Sequence, residues 1–209
     1  MTRKNIHMEP NRKLLMIFVK NRQAGKVKTR LAKTVGDDKA LEIYDKLKSH
    51  TIDVAAEVDA EREIWYSDFV GEEQFEDEVF QEKVQIGDGL GVRMKSAFEE
   101  GFNNGADNVV IIGSDCISIT KSHIREAFAF LEEVDAVIGP AKDGGYYLLG
   151  LSKMIPELFE NINWSTESVF DQTLEALRSN ENSYQLLEML NDIDTESDLE
   201  NSPYKSRLV

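Results

Sequence analysis

The chain has 209 residues, 41% of them hydrophobic and 30% charged, which is typical of a globular protein and not of a disordered one. This length fits a single domain, and one cysteine excludes an intramolecular disulfide. The longest apolar runs have only strand length, so we expect no transmembrane helix, no signal peptide and a cytoplasmic protein.

Charge is distributed unevenly along the chain. The net charge is −15, yet residues 1–33 carry a net +9 and the remaining residues a net −24. Such an acidic body argues against nucleic acid as a partner. A small phosphorylated ligand, bound by a local basic loop, is compatible with this distribution.

Hydrophobic patterning predicts alternating strands and helices after a flexible lead-in at residues 1–12. The expected strands are Lys13–Lys20, Glu63–Ser67, Val84–Ile86, Asn108–Gly113, Asp135–Gly139, Tyr146–Gly150 and Tyr184–Met189. The expected helices are Asp37–Glu57, Val92–Asn103, Thr120 to Leu131, one capped by Ser165 and one that starts at Thr195 with Asp198. A short acidic helix or loop is expected at Gly71–Phe80. This order predicts one domain at 13–209, a three-layer α/β/α fold with a mainly parallel sheet.

The first predicted strand is followed by a basic loop, Lys20–Leu31. Phosphate binding requires exposed backbone N–H groups, a glycine that permits close approach, and cations. The loop supplies the glycine as Gly25 and five cations, and we predict that it binds a nucleotide through Lys20, Gly25, Lys28, Thr29 and Arg30. Neither the Walker nor the dinucleotide motif is present. The alternative is a solvated surface loop.

Acidic residues follow two other predicted strands. Asp115 comes after the strand that ends at Gly113, and Asp192 and Asp194 end the last strand. Ligands of parallel α/β sheets lie beyond the carboxyl ends of the strands, and carboxylates suit Mg²⁺ or Mn²⁺. We therefore predict a metal site at Asp115 with Asp194. In the alternative interpretation, these acids cap or compensate the following helices.

Two glycine-rich turns are further candidates. Asp143 precedes Gly144 and Gly145, and its carboxylate is placed to orient or deprotonate an acceptor hydroxyl. The other turn is Gly87–Gly91, and together with Arg93 it is expected to lie under a base or sugar. Ordinary turns are the alternative for both segments. A helix cap after a core aromatic explains Trp164–Thr166, and Cys116 is expected to be a buried small hydrophobe.

Taken in this order, the segments resemble one family, the radical-SAM/selenodomain-associated transferases, which are glycosyltransferase-like proteins with the GT-A nucleotide-diphospho-sugar transferase fold. The matching stretches are Phe18–Lys20, Gly25–Ala32, Gly91 with Arg93 and Met94, Ile112–Cys116, Gly139–Ala141, Asp143–Gly150 and Trp164–Thr166. Lys28–Leu31 is also similar to phospholactate guanylyltransferases, and Asp192–Thr195 to molybdopterin cofactor nucleotidyltransferases. The resemblance implies a nucleotide on the basic loop and Mg²⁺ or Mn²⁺ at Asp115.

The resulting hypothesis is a metal-dependent glycosyltransferase with a nucleotide-diphospho-sugar donor and a small-molecule acceptor. Lys28 and Arg30 would bind the diphosphate, and Asp143 would act on the acceptor. Two alternatives stay open: a nucleotidyltransferase that acts on a nucleoside triphosphate and a phosphorylated small molecule, and a non-catalytic nucleotide-binding protein. The sequence does not specify the oligomeric state.

Overall fold

The structure, a computed structural model, describes residues 11–71 and 79–209. Residues 1–10 of the expected lead-in and most of the acidic segment at Gly71–Phe80 therefore lie outside the described residues. Among the described helices, none combines the length and apolarity needed to cross a membrane.

Strands and helices alternate along most of the chain, as predicted. The strands are β1 (Lys13–Val19), β2 (Glu61–Tyr66), β3 (Gln81–Val84), β4 (Asn108–Gly113), β5 (Ala136–Pro140), β6 (Tyr146–Leu151) and β7 (Tyr184–Leu186). The helices are α1 (Thr29–Val35), α2 (Asp37–Ala56), α3 (Leu90–Asn103), α4 (Lys121–Phe130), α5 (Val169–Ser179), α6 (Glu196–Asn201) and α7 (Lys205–Leu208), with a 3₁₀ helix at Pro156–Phe159.

Within the described residues, the seven strands form one sheet in the order β3-β2-β1-β4-β6-β5-β7. Only β6 runs antiparallel to its neighbours, because a short turn joins it directly to β5. The other pairings are parallel. This mixed α/β domain with a mostly parallel sheet confirms the predicted fold class.

The core lies on both faces of the sheet, because successive side chains of a strand point to opposite sides. From β1, Leu15 and Ile17 pack on the side of α4 and the end of α2, whereas Leu14 and Met16 pack on the side of α3 and α5. These layers account for the continuous apolar run of β1. A smaller cluster around Leu31 joins α1, α2, α6 and α7, and it anchors the helix that follows the basic loop.

Some predicted boundaries are wrong. Ser165 does not cap α5; it has a φ of 63°, and Ser168 is the residue before the helix. The strand predicted at Val84–Ile86 ends at Val84, and Ile86 is exposed. At α6 the predicted capping box is confirmed, because the Thr195 hydroxyl accepts the Asp198 N–H at 3.2 Å.

Candidate active site

A cleft of about 1020 Å³ opens at the carboxyl ends of β1 and β4. Most of the predicted site residues line it, since parallel strands bring the residues that follow them to the same edge of the sheet. These are Lys20, Lys28, Thr29, Arg30, Arg93, Asp115, Asp143 and Asp194. Gly25 and Gly91 are the two predicted residues that do not line the cleft.

Lys28 is the central cation of the cleft. Its side chain is only 3% exposed, and its ammonium lies 2.8 Å from Asp115 Oδ1 and 3.0 Å from Asp194 Oδ1. Burial alone would lower the pKa of Lys28, but the two carboxylates outweigh burial and raise this pKa. Arg30 adds a longer contact of 3.7 Å to Asp194 Oδ2. One cation therefore reaches both carboxylates that the sequence predicted as metal ligands.

Backbone hydrogen bonds fix the segments that carry these carboxylates. The Ile193 N–H donates to the Asp115 carbonyl oxygen at 3.1 Å, which joins two segments that are far apart in sequence. The Asp198 carboxylate accepts the N–H groups of Asp194 at 3.2 Å and of Thr195 at 2.8 Å. Burial would raise the pKa of Asp198, but the hydrogen bonds from Thr195 and Asp194 lower it. The carboxylate of Asp194 is thus held on an ordered backbone.

Asp192 is a third carboxylate of the cleft that the predicted metal set left out. Its Oδ1 is buried and has no hydrogen-bond partner within residues 11–71 and 79–209. Burial, with the charge of Asp115, raises the pKa of Asp192 to about 7, although Lys28 acts in the opposite direction. The only sequence signal for it was the i, i+2 spacing with Asp194, and its burial depends on packing that this spacing does not predict.

The charged side of the cleft, defined as Lys28, Arg30, Asp115, Asp192 and Asp194, offers carboxylate oxygens to a divalent ion. Two carboxylates already converge on one cation, and a buried carboxylate oxygen beside them lacks a partner among the described residues. No group of three or more described His, Cys, Asp or Glu side chains forms a ready metal cage. Mg²⁺ commonly takes one or two protein carboxylates and completes its shell with phosphate and water oxygens. The donor set fits an ion shared with a phosphorylated ligand.

The cleft is also lined by an aromatic wall, defined as Tyr146 and Trp164. The Trp164 ring stacks on Phe159 with a centroid distance of 6.4 Å and meets Tyr146 edge-on at 6.5 Å. A Cβ at Gly91 would lie 2.1 Å from Trp164 Nε1. Gly91 was predicted to contact a nucleotide; instead it lies against Trp164, because only a glycine leaves room for the indole.

The turn that carries Asp143 packs against the segment that follows Trp164. Asp143 Oδ1 accepts the Gly145 N–H at 2.9 Å, which orients the carboxylate at the cleft. Gly144 has a φ of +87°, and a Cβ there would lie 2.1 Å from the Glu167 carbonyl oxygen. The Phe170 N–H donates to the Gly144 carbonyl at 2.8 Å. The Asp143 turn and the Trp164 segment therefore form one packed unit.

Part of the basic loop faces away from the cleft. Gly25 has a φ of +73° and packs beside Asp37, so it shapes the loop. It was predicted to contact the nucleotide, but it does not line the cleft. Arg22 is ion-paired with Asp45 on α2 at 2.9 Å. Of the five loop cations, three line the cleft: Lys20, Lys28 and Arg30.

The remaining predicted residues have distinct surroundings. Arg93 lines the cleft, and its Nε donates to the Gly87 carbonyl at 3.0 Å, which holds the glycine-rich turn at the start of α3. Cys116 is buried, as predicted, and burial raises the pKa of its thiol to about 12, so it is a poor nucleophile.

Gln85 lines the cleft but was not predicted as a site residue. Its Nε2 donates to the carbonyl oxygens of Trp65 at 2.8 Å and Val19 at 3.3 Å. It therefore links the ends of β1 and β2 at the cleft. A lone glutamine after a short strand gives no motif from which this role could be predicted.

The fold and the charged cleft place the chain among α/β proteins that are similar in structure to nucleotide-diphospho-sugar transferases. Residues 51–166 match the family model described as "Uncharacterized protein conserved in bacteria (DUF2064)". The chain belongs to this family. Among curated proteins, none matches the sequence.

Several solved structures are similar to this one. A proposed nucleotide-diphospho-sugar transferase from Desulfovibrio desulfuricans G20 is 33% identical over 92% of this chain and 90% of its own, with a TM-score of 0.82. A CMP:2-keto-3-deoxy-manno-octonic acid synthetase in complex with CTP is 11% identical over 94% of this chain and 97% of its own, with a TM-score of 0.55. A Mycobacterium tuberculosis H37Rv protein in complex with manganese is 11% identical over 94% and 98%, with a TM-score of 0.52. The last two similarities concern the fold alone.

Proposed function

We propose that this protein is a metal-dependent glycosyltransferase that transfers a sugar from a nucleotide-diphospho-sugar to a small-molecule acceptor. The observation that carries the proposal is the Lys28 ammonium held between Asp115 and Asp194 in the cleft. On the charged side, Asp115 and Asp194 offset the charges of Lys28 and Arg30, so these two cations alone attract a bare diphosphate only weakly. A divalent cation would add the positive charge that a diphosphate needs, which explains why acidic and basic groups share one site.

Four groups of the charged side have a role in this proposal. Asp115 and Asp194 would hold Mg²⁺ or Mn²⁺, which, when bound, neutralises the diphosphate and stabilises it as a leaving group. Lys28 and Arg30 would bind the phosphate oxygens beside the carboxylates. Lys20 and Thr29 line the same cleft and would contact the nucleotide there.

Asp143 would act on the acceptor. Its carboxylate lies in the same cleft, and the Gly145 N–H uses only one of its oxygens in the described contacts. A carboxylate fixed in this way is placed to orient an acceptor hydroxyl and to take its proton as the new bond to the sugar carbon forms. The bond between that carbon and the β-phosphate oxygen breaks, and the nucleoside diphosphate leaves.

Nucleotidyl transfer is the second candidate, because one structure of the same fold was solved with CTP. A nucleoside triphosphate carries more negative charge than a nucleotide sugar and needs more cations. Arg22 is paired with Asp45 and does not line the cleft, so the loop brings fewer cations to the site than its sequence suggests. The smaller cation count favours the diphosphate of a nucleotide sugar.

Product analysis tests the proposal. The full chain is incubated with Mn²⁺ and either a panel of nucleotide sugars or a panel of nucleoside triphosphates, and the products are identified by anion-exchange chromatography. We expect nucleoside diphosphate from a nucleotide sugar, at least by slow hydrolysis when water is the acceptor. Pyrophosphate from a triphosphate, without turnover of any nucleotide sugar, would replace the proposal with nucleotidyl transfer. Binding without any turnover would support a non-catalytic nucleotide-binding protein.

A further inference from the structure

The aromatic wall of Tyr146 and Trp164 has no role in the chemistry described so far. It lies in the same cleft as Lys28, and the Asp143 turn adjoins it. The segment after Trp164 adds polar groups to the cleft lining, namely Ser165, Thr166 and Glu167. This side of the cleft therefore combines aromatic surface with hydroxyl groups and a carboxylate.

The wall is held rigidly. Gly91 and Gly144 lie where a Cβ would come within 2.1 Å of Trp164 and of the Glu167 backbone, respectively. Ser165 has a φ of 63°, a conformation that costs free energy for a residue with a side chain. Steric contacts on several sides thus fix the indole and the polar segment that follows it. Such preorganisation is typical of a surface that binds a ligand of definite shape.

A sugar ring has the chemistry that matches this surface. Its C–H face is apolar and slightly positive, so it is attracted to the negative face of an aromatic ring. Its hydroxyl groups lie around the ring edge, where serine, threonine and carboxylate side chains can bind them. A purely apolar group would leave the polar segment unused, and an anionic group would be repelled by Asp143 and Glu167.

We propose that the aromatic wall receives the sugar ring of the donor, with Trp164 in contact with the ring and Gly91 as a positioning residue for Trp164. This inference rests on the proposed function, in which Lys28 and Arg30 anchor the diphosphate. A sugar attached to that diphosphate would lie in the same cleft, which the wall also lines. The wall would then determine which sugar the enzyme accepts.

Comparing each nucleoside diphosphate with its sugar conjugate isolates the contribution of the sugar to binding. The full chain with Mn²⁺ is titrated calorimetrically with ADP, CDP, GDP, UDP and dTDP and with the hexose conjugate of each. For the base that binds, we expect the conjugate to bind wild type about tenfold more tightly than the diphosphate alone. In Trp164→Ala this gain should fall below about twofold, while affinity for the diphosphate changes by less than about twofold. Trp164→Phe should retain part of the gain, because a smaller ring remains.

Gly91→Ala tests the positioning role without removing the indole. Its new Cβ displaces Trp164, so the sugar gain should fall while diphosphate affinity is kept. Gly113→Ala is the matched control, because Gly113 lines the same cleft and a Cβ there meets no atom within 4 Å. Circular dichroism and melting curves show whether each variant folds. If Trp164→Ala does not fold, Trp164→Phe still tests the role of the indole.

The outcomes distinguish this inference from the proposed function. An equal sugar gain in wild type, Trp164→Phe and Gly91→Ala would overturn the role of the wall and leave the proposed function intact. Diphosphate binding without any sugar gain in wild type would do the same. Failure of every diphosphate and every conjugate to bind would overturn the proposed function and this inference together.

Discussion

The charged side of the cleft and the aromatic wall are held by different forces. On the charged side, Lys28 is paired with carboxylates that are 35–40% exposed, so water or a ligand can replace its partners. Around the wall, Gly91 and Gly144 leave no room for a side chain, so the contacts there are steric and close. The same cleft thus joins a region that can re-pair with one that is fixed in shape.

This difference indicates that the two sides suit different parts of a ligand. Exchangeable ion pairs suit a diphosphate and its metal, which must enter, change charge and leave. A fixed aromatic surface suits recognition of the group that is transferred, because shape discriminates only when the surface does not yield. The variants below test each side separately.

Asp143→Asn should have the largest effect. Asparagine keeps the oxygen that accepts the Gly145 N–H, so the turn is retained, but it cannot take a proton. We expect release of nucleoside diphosphate to slow by about 100-fold or more, with donor affinity changed by less than about twofold. Turnover and calorimetry measure the two quantities. An unchanged rate would remove Asp143 from the chemistry.

Gly144→Ala tests the rigidity of the wall. The substitution combines a left-handed backbone with a Cβ 2.1 Å from the Glu167 carbonyl oxygen, and we expect a loss of about 3 kcal/mol in the free energy of unfolding. Gly25→Ala is the control on the basic loop, because its φ is also positive but its nearest neighbour, Asp37 Oδ2, is at 3.4 Å. It should cost about 1 kcal/mol. Equal losses in urea unfolding would show that backbone conformation alone matters at Gly144.

Lys28→Met tests exchange on the charged side. Without the ammonium, Asp115 and Asp194 are free for another cation, so Mn²⁺ alone should bind about tenfold more tightly, whereas nucleoside diphosphate should bind about tenfold more weakly. Free Mn²⁺ is measured by electron paramagnetic resonance. Lys153→Met is the control, because it removes an ammonium paired with Asp135 at 2.7 Å, outside the cleft lining. Unchanged Mn²⁺ affinity in Lys28→Met would contradict a shared cation site.

Thr195→Ala should have the smallest effect. It removes the hydroxyl that accepts the Asp198 N–H at the start of α6, and loss of such a cap costs about 1 kcal/mol. The melting temperature should fall by about 2–4 °C. A melting curve identical to that of wild type would show that this capping box does not hold the end of the charged side.

The fold and the charged side were predictable from the sequence because their signals are local. The apolar runs at β1 and β4 indicate buried parallel strands, and polar residues that directly follow such strands meet at one edge of the sheet. Together with the family resemblance, this reasoning placed Lys28, Asp115 and Asp194 in one predicted site.

The aromatic wall was not predictable, because it depends on contacts between distant segments. The glycine at 91 was expected to face a ligand, and only packing places it against Trp164. Ser165 stands where a helix cap is expected, yet the chain passes through a left-handed turn before α5 begins after Ser168. Asp192 was visible by spacing alone, whereas its unpartnered oxygen results from three-dimensional burial.

The most direct test of the central claim is the melting temperature of wild type and Asp115→Asn with a nucleotide sugar, with and without Mn²⁺. A ligand at 100 times its Kd stabilises by about 2.7 kcal/mol, which corresponds to about 5–10 °C for a domain of this size. Asp135→Asn is the control, since it removes a carboxylate that is paired with Lys153 and does not line the cleft. We predict the full Mn²⁺-dependent shift in wild type and Asp135→Asn and less than about 2 °C in Asp115→Asn. An equal shift in all three proteins would contradict a metal–diphosphate site at Asp115.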